Sequence, residues 1–450
     1  MAKTNLWEKL GFKENPFDTK PLNVNQNDVD LLIGRESEQV EFLTTLESSE
    51  QGVFVISGVP GVGKTSFLNI QQYLIENDLG YSDKMLAARN LCPIQPYDEP
   101  IHIALRALQS YVTSIVVYCE ENKKKKPKQV EQVHNWLFQN KPTTFEFGFS
   151  ILGNGINYGR EVHLPSMKDA TFETIGEIIK TVSLEVKTEL KFCSSFIVLD
   201  NLENLETENL NDVLVSFRDT LFTIDGIWWV LIGQSGLTSL IQSIAPKVFQ
   251  RLSGGIELKP ISIEDIIKAV NKRVEKFHTN STVGKSPVSE NIYTKLFKCS
   301  NGEIRFVFKY CTQICISFVQ MIRKLMVLEN AKIDDDTFNN FIGRYIVEKT
   351  IKDDFALDCL KDKIREEFEG LYLSNNHKCI LKQIGKIDKI KPSDFKLFSE
   401  CGIKTLQEFT NSHLITLHNQ NLLLRRQEGK VITYELRGIA SLALEFEIIE

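Results

Sequence analysis

Eight consecutive residues decide much of what this chain can fold into: Gly58, Val59, Pro60, Gly61, Val62, Gly63, Lys64 and Thr65 complete the pattern GxxxxGK[ST]. They follow GVFVIS at residues 52–57, a β-branched apolar run with no alternation, which suits a strand buried on both faces of a parallel sheet. A helical pattern begins at Lys64. In that setting the glycines let backbone N–H groups turn inward around phosphate oxygens, and the helix N-terminus adds the positive end of its dipole. Lys64 is then placed to reach the β and γ phosphates of ATP and Thr65 to hold Mg²⁺, with Ser66 next on the same turn. A glycine turn without function would not also carry both flanks and every defining position.

The rest of the pattern fits the same architecture. Helical periodicity over residues 172–190 precedes a second buried strand at 195–199, and another helix precedes a third at 227–232. This alternation predicts an α/β fold with a doubly wound parallel sheet. The run FIVLD at residues 196–200 ends in Asp200, which places an acid beside the metal, opposite Thr65. Beyond Pro260 the strands stop, and residues 263–277, 290–298 and 303–325 read as the helices of a compact domain. Short helices at 377–387, 393–401 and 406–418 are followed by strands at 422–427 and 431–436, the order of a winged helix. The expected division is an extended N-terminal arm (1–33), a core (34–260) with an insertion at 120–167, a helical lid (261–345), a connecting helix (346–370) and the winged helix (371–450). Within the insertion, residues 145–164 predict a β-hairpin turned at Gly153-Asn154-Gly155.

Composition excludes several classes. A formal net charge of −6 is wrong for a wholly basic nucleic-acid coat, so any nucleic-acid contact is local. Nine cysteines without a CxxC pair, and histidines without zinc spacing, point to reduced thiols and no zinc site. The start MAKTNLWEKLGF has no apolar signal core, and the most apolar helical stretch, near residues 111–118, is far shorter than the roughly 20 residues that span a bilayer. A cytoplasmic protein without a membrane segment is the expectation.

With these motifs in place, the chain resembles an AAA+ ATPase, in particular the origin-recognition initiator group, and it is also similar to the STAND signalling ATPases. The resemblance covers residues 32–310, with the winged helix as a further match. It implies that Gln234, or Ser235, at the end of the third strand senses the γ-phosphate, that Arg251 acts as an arginine finger, and that Arg305 in Asn301-Gly302-Glu303-Ile304-Arg305 folds from the lid onto the γ-phosphate. Arg35, in Gly34-Arg35-Glu36, stands where these families line the adenine pocket. Asn201 follows Asp200 where many hydrolysing relatives carry Glu, so Glu203 is the candidate for polarising water and ATP binding is the firmer expectation than turnover. The third winged-helix helix offers Lys404, Thr405, Gln407, Asn411 and Ser412 to a DNA groove, and the wing offers Arg425, Arg426 and Lys430 to phosphates.

The function implied is an ATP-controlled switch, initiator-like or regulatory, that self-associates through its ATPase core and binds DNA through the winged helix. The alternative is a sensor or assembly component of a bacterial anti-phage or stress system, whose winged helix docks a protein and which acts through a separate effector or regulatory partner.

Overall fold

The structure, a computed structural model, describes residues 5–77, 84–139, 170–279, 285–332, 335–347, 350–428 and 431–449. Strands β1 (Gly52–Gly58), β2 (Met85–Leu86), β3 (Cys92–Pro93), β4 (Ser194–Asp200), β5 (Ile227–Gly233) and β6 (Gly254–Leu258) form one parallel sheet. Its order is β2-β4-β5-β1-β6, with β3 also pairing β4. Successive side chains on a strand point to opposite faces, and here both faces are covered. Val53, Val55, Ile197, Leu199, Trp229 and Leu231 pack against helices Pro100–Glu121 and Phe172–Glu185. Phe54, Ile56, Phe196, Val198, Trp228 and Val230 pack with Phe42, Phe67 and Leu68 of helices Glu36–Glu47 and Lys64–Glu76. Two covered faces explain why these strands read as continuous apolar runs.

Helices Ile263–Phe277, Glu290–Cys299 and Ile304–Leu328 build the lid, followed by the short pair β7 (Ile346–Val347) and β8 (Thr350–Ile351) and by helix Asp353–Glu369. By length and composition Ile304–Leu328 could cross a bilayer, yet its Val307, Tyr310, Cys311, Ile314 and Phe318 are buried in the lid core. The C-terminal unit is a winged helix: helix Asn375–Ile387, β9 (Lys389–Ile390), helical segment Pro392–Cys401, a third helix ending in Ile415–Asn419, then β10 (Leu423–Glu428) and β11 (Val431–Leu436). Its sheet order is β10-β11-β9, and helix Gly438–Glu445 closes the unit. One continuous apolar core joins lid and winged helix, because Ile314 and Phe318 share it with Ile380, Leu414 and Leu442.

Two expectations need correction. The thiols are not all reduced: Cys379 and Cys401 form a disulfide between the first two helical segments of the winged helix, while the other seven cysteines are free. The fold brings these two together across 22 residues, a pairing that linear spacing does not announce. Nor is the N-terminal arm merely an extended lead-in. It contains helices Leu6–Lys9 and Gln26–Val29, and it docks because Phe12 and Phe17 are fully buried in the lid core. The hairpin expected at 145–164 and the wing residue Lys430 lie outside the described residues.

Candidate functional site

A pocket opens where the C-terminal ends of β1 and β4 meet the lid. Its floor is the loop at residues 60–66, one side is Asp200, Asn201 and Glu203, and the roof comes from the arm at residues 18–22 and 31–33. The lid contributes Ile261, Ala269, Arg273, Ile304, Arg305 and Phe308.

The loop has the backbone its sequence requires. Gly63 has φ +99° at the start of helix Lys64–Glu76, and a Cβ there would meet nothing within 4 Å, which leaves open space over the helix N-terminus. Gly61 has φ +75° and could carry no side chain, since a Cβ would fall 2.4 Å from Cγ of Glu303. Lys64 folds back along the loop, its Nζ donating to the carbonyls of Gly58 at 2.8 Å and Val59 at 3.2 Å. Burial lowers the pKa of its ammonium, opposed by the negative charges of Glu203 and Asp200. Two neutral carbonyls are weak compensation for a half-buried cation, and a polyanion in the open space would be a better one.

The carboxylates are strained in the opposite sense. Asp200 caps β4, and its Oδ1 accepts from the backbone N–H of Asn201 at 2.9 Å. Burial raises its pKa, against the lowering effect of that hydrogen bond and of Lys64 and Arg305. Glu203 reaches the end of β5, where its Oε2 would lie 3.6 Å from a Cβ at Gly233. It is open to solvent across the pocket but crowded by protein on its other sides, and desolvation raises its pKa too. Thr65 hydroxyl and Asp200 carboxylate make an all-oxygen donor set suited to a hard divalent cation.

Not every candidate converges here. Arg35 is buried and lines the pocket, but its guanidinium donates to the carbonyls of Val62 at 2.9 Å and Lys259 at 2.7 Å and pairs with Glu38, so it braces the phosphate loop. Arg305 projects into the pocket from the first turn of its helix, and its backbone N–H lies 3.4 Å from the Gly61 carbonyl. Gln234 follows β5 and is not among the pocket's lining residues. Arg251 is also absent from the lining; it is exposed, donates to the Arg218 carbonyl at 2.8 Å and pairs with Asp219 at 3.0 Å.

The winged helix reaches the same loop from outside. Arg437 grips Glu303 bidentately, Nε to Oε2 and Nη2 to Oε1 at 3.1 Å each, and Asn301 donates to the Leu436 carbonyl at 2.8 Å. Leu424 of β10 is buried in the apolar cluster that contains Val59 and Val62. A Cβ on Gly438 would stand 2.3 Å from the Phe306 ring, so the backbone approach there is close. Of the DNA-contact candidates, Lys404 is exposed, Arg426 is ion-paired with Glu435 at 2.6 Å, and Arg425 lies against Tyr434 and His418.

Sequence reasoning missed the arm as a pocket wall and missed Arg273, Phe308 and Glu303. Their roles depend on contacts between distant residues, such as Leu22 N–H to Ser66 Oγ at 3.1 Å and Asn69 to the Leu22 carbonyl at 2.8 Å. Asn15-Pro16-Phe17 was the available signal, since a buried Phe17 shows that the arm is anchored.

No protein-family model matches the chain. It is 23% identical over 440 residues to an uncharacterised HTH-type transcriptional regulator of Methanocaldococcus jannaschii, covering 95% of this chain and 91% of that protein. Among solved structures it is similar to a Walker-type ATPase of Pyrococcus abyssi (TM-score 0.48, 15% identity, 96% of this chain and 99% of that one). It is also similar to the ORC2 protein of Aeropyrum pernix (TM-score 0.44, 12% identity, 97% of each chain). A third is the ORC1 protein of the same organism, in complex with DNA (TM-score 0.43, 13% identity, 95% and 96%). The chain's own topology, with GVPGVGKT closing β1, an acid ending β4 one strand away, a helical lid and then a winged helix, is that of a P-loop nucleotide-binding α/β fold with a C-terminal winged helix.

Proposed function

We propose that this chain is an ATP-binding switch with slow hydrolysis, and that the occupancy of its P-loop sets the position of a DNA-binding winged helix. The observation that carries this reading is Glu303, seated against Gly61 of the phosphate loop and held by Arg437 of the winged helix. A triphosphate brings negative charge beside Glu303 and offers Arg305, two residues on, a new partner. Glu303 and Arg305 share the start of one helix segment, so a shift of one moves the other, and Arg437 follows. ATP and its absence thereby favour different placements of the winged helix.

Lys64 and the loop N–H groups hold the phosphates, and Thr65 and Asp200 are the residues fitted to hold Mg²⁺, which when bound neutralises charge between the β and γ phosphates. Glu203 accepts a proton from water, and desolvation raises its pKa, which makes it a stronger base than a free carboxylate. Arg251, which does not line this pocket, serves the pocket of a neighbouring copy. Glu203→Gln keeps shape and hydrogen bonding but cannot accept a proton, so turnover should fall by about 10²- to 10⁴-fold with ATP still bound. Single-turnover hydrolysis beside equilibrium ATP binding checks this, and unchanged turnover returns Glu203 to a helix-start role.

DNA binding is tested by the salt dependence of duplex affinity with and without ATP. Lys404 is exposed at the head of the third helix, whereas Arg426 is already paired with Glu435. Lys404→Ala should therefore make the slope of log K against log salt shallower by about 0.9, one phosphate contact. The absence of any salt-dependent duplex affinity in the wild type would refute the DNA reading and favour protein docking, and an unaltered slope in the variant would remove Lys404 from the contact.

A further inference from the structure

Arg273 is the candidate that the P-loop motifs do not absorb. It projects from helix Ile263–Phe277 into the pocket, is 8% exposed, and lays its guanidinium over the Phe308 ring at 4.7 Å. Among the described residues its one hydrogen bond is long, 3.4 Å to the Asp18 carbonyl of the arm. Asp28, a nearby carboxylate, is engaged by Lys276 and Asn23 instead. Burial lowers the pKa of the guanidinium, opposed only by the charges of Asp28 and Asp18. A guanidinium has five N–H donors and no acceptor, and no Arg273 nitrogen is a fully buried atom without a partner, so the donors not spent on Asp18 open onto the pocket. The structure thus holds a largely buried donor group facing the cavity.

Its place along the cavity says which part of a ligand it would meet. Lys64 lies along the loop, bonded to the Gly58 and Val59 carbonyls, whereas Arg273 lies against the arm at Asp18 and over Phe308 of the lid. Phe308 is one helical turn beyond Arg305, on the side leading away from Gly61. Ala269, Arg273 and the arm line the same pocket as the loop, so they are the groups left for the nucleoside of a nucleotide whose phosphates sit on the loop.

We infer that Arg273 reads the nucleoside half of the bound nucleotide, donating hydrogen bonds to acceptor atoms of the ribose or the base. This rests on the nucleotide-site reading above and adds to it a specificity-determining residue. The stacking on Phe308 holds the guanidinium plane fixed, so acceptors are selected by position as well as by chemistry.

The test is calorimetric binding of ATP and of inorganic tripolyphosphate to the full chain and to Arg273→Met, which keeps an apolar stem over Phe308 and removes the donors. ATP should bind at least tenfold more weakly to the variant, about 1.4 kcal/mol, while tripolyphosphate, held by the loop alone, binds equally to both. A loss that vanishes with 2′-deoxy-ATP locates the contact on the 2′-hydroxyl, and one that persists locates it elsewhere on the nucleoside; both uphold the proposal. Equal ATP affinity in the two proteins overturns it, as does an equal loss for ATP and tripolyphosphate, which would make Arg273 a structural residue. If the wild-type chain binds neither ligand, the nucleotide pocket itself fails, and Arg273 with it.

Discussion

The Lys64→Ala protein should bind ATP at least a hundredfold more weakly than the wild type while folding normally. A charge-assisted hydrogen bond contributes about 1.5–3 kcal/mol, and Lys64 is placed to make such bonds to the β and γ phosphates. Losing them costs roughly 3 kcal/mol or more, a factor of about 10² in affinity. The fold should survive because Lys64 donates only to two loop carbonyls, of Gly58 and Val59. β1 and the helix after the loop keep their apolar contacts through Phe54, Ile56, Phe67 and Leu68, none of which the substitution touches. Fluorescent-nucleotide titration beside a thermal melt separates the two effects. A folded variant with affinity within threefold of wild type would remove the phosphates from this loop.

Arg437→Ala should loosen the winged helix from the lid and the P-loop. The substitution strips a bidentate partner from Glu303, a buried carboxylate, and also releases Asn421, to which Arg437 donates at 2.7 Å. Truncating one member of a buried, hydrogen-bonded charge pair at an interface costs about 2–5 kcal/mol, much of it from the charge left behind. Amide hydrogen exchange should therefore quicken in residues 421–428 and 301–306 without a comparable change in β4 or β5. Arg437→Lys keeps the charge but not the fork, so it should fall between the two. Unchanged exchange at both segments would show that apolar contacts such as Leu424 and Phe306 hold the interface without the ion pair.

How much of this was legible in the sequence depends on the range of the contacts. The phosphate loop was legible because all its parts are adjacent, and β1, β4 and β5 were legible because two covered faces leave an unbroken apolar run. The winged helix was readable from element order alone. The arm was not, since Leu22 meets Ser66 and Asn15 meets Thr312 across 297 residues, and nothing in a local pattern encodes such a pairing. Arg273 occupies an ordinary position in an amphipathic helix, and only the fold shows that its side chain turns inward. Glu303 and Arg437 are separated by 134 residues and carry no shared motif. Arg35 shows the converse: its position was legible but its contacts were not, and the groups it grips are loop carbonyls.

The arm described above also has a bearing on time. It is fastened to the core through Leu22, held by Ser66 and Asn69, and to the lid through Asn15 and the Phe17 carbonyl, both bonded to Thr312. Residues 18–22 cross the pocket between these two fastenings. A strap anchored on both banks cannot stay intact while the banks separate, so drawing the lid away from the core breaks one set of bonds or the other. Nucleotide exchange by lid opening is then a rupture with its own barrier, and residence time becomes a property of the strap as well as of the phosphates beneath it.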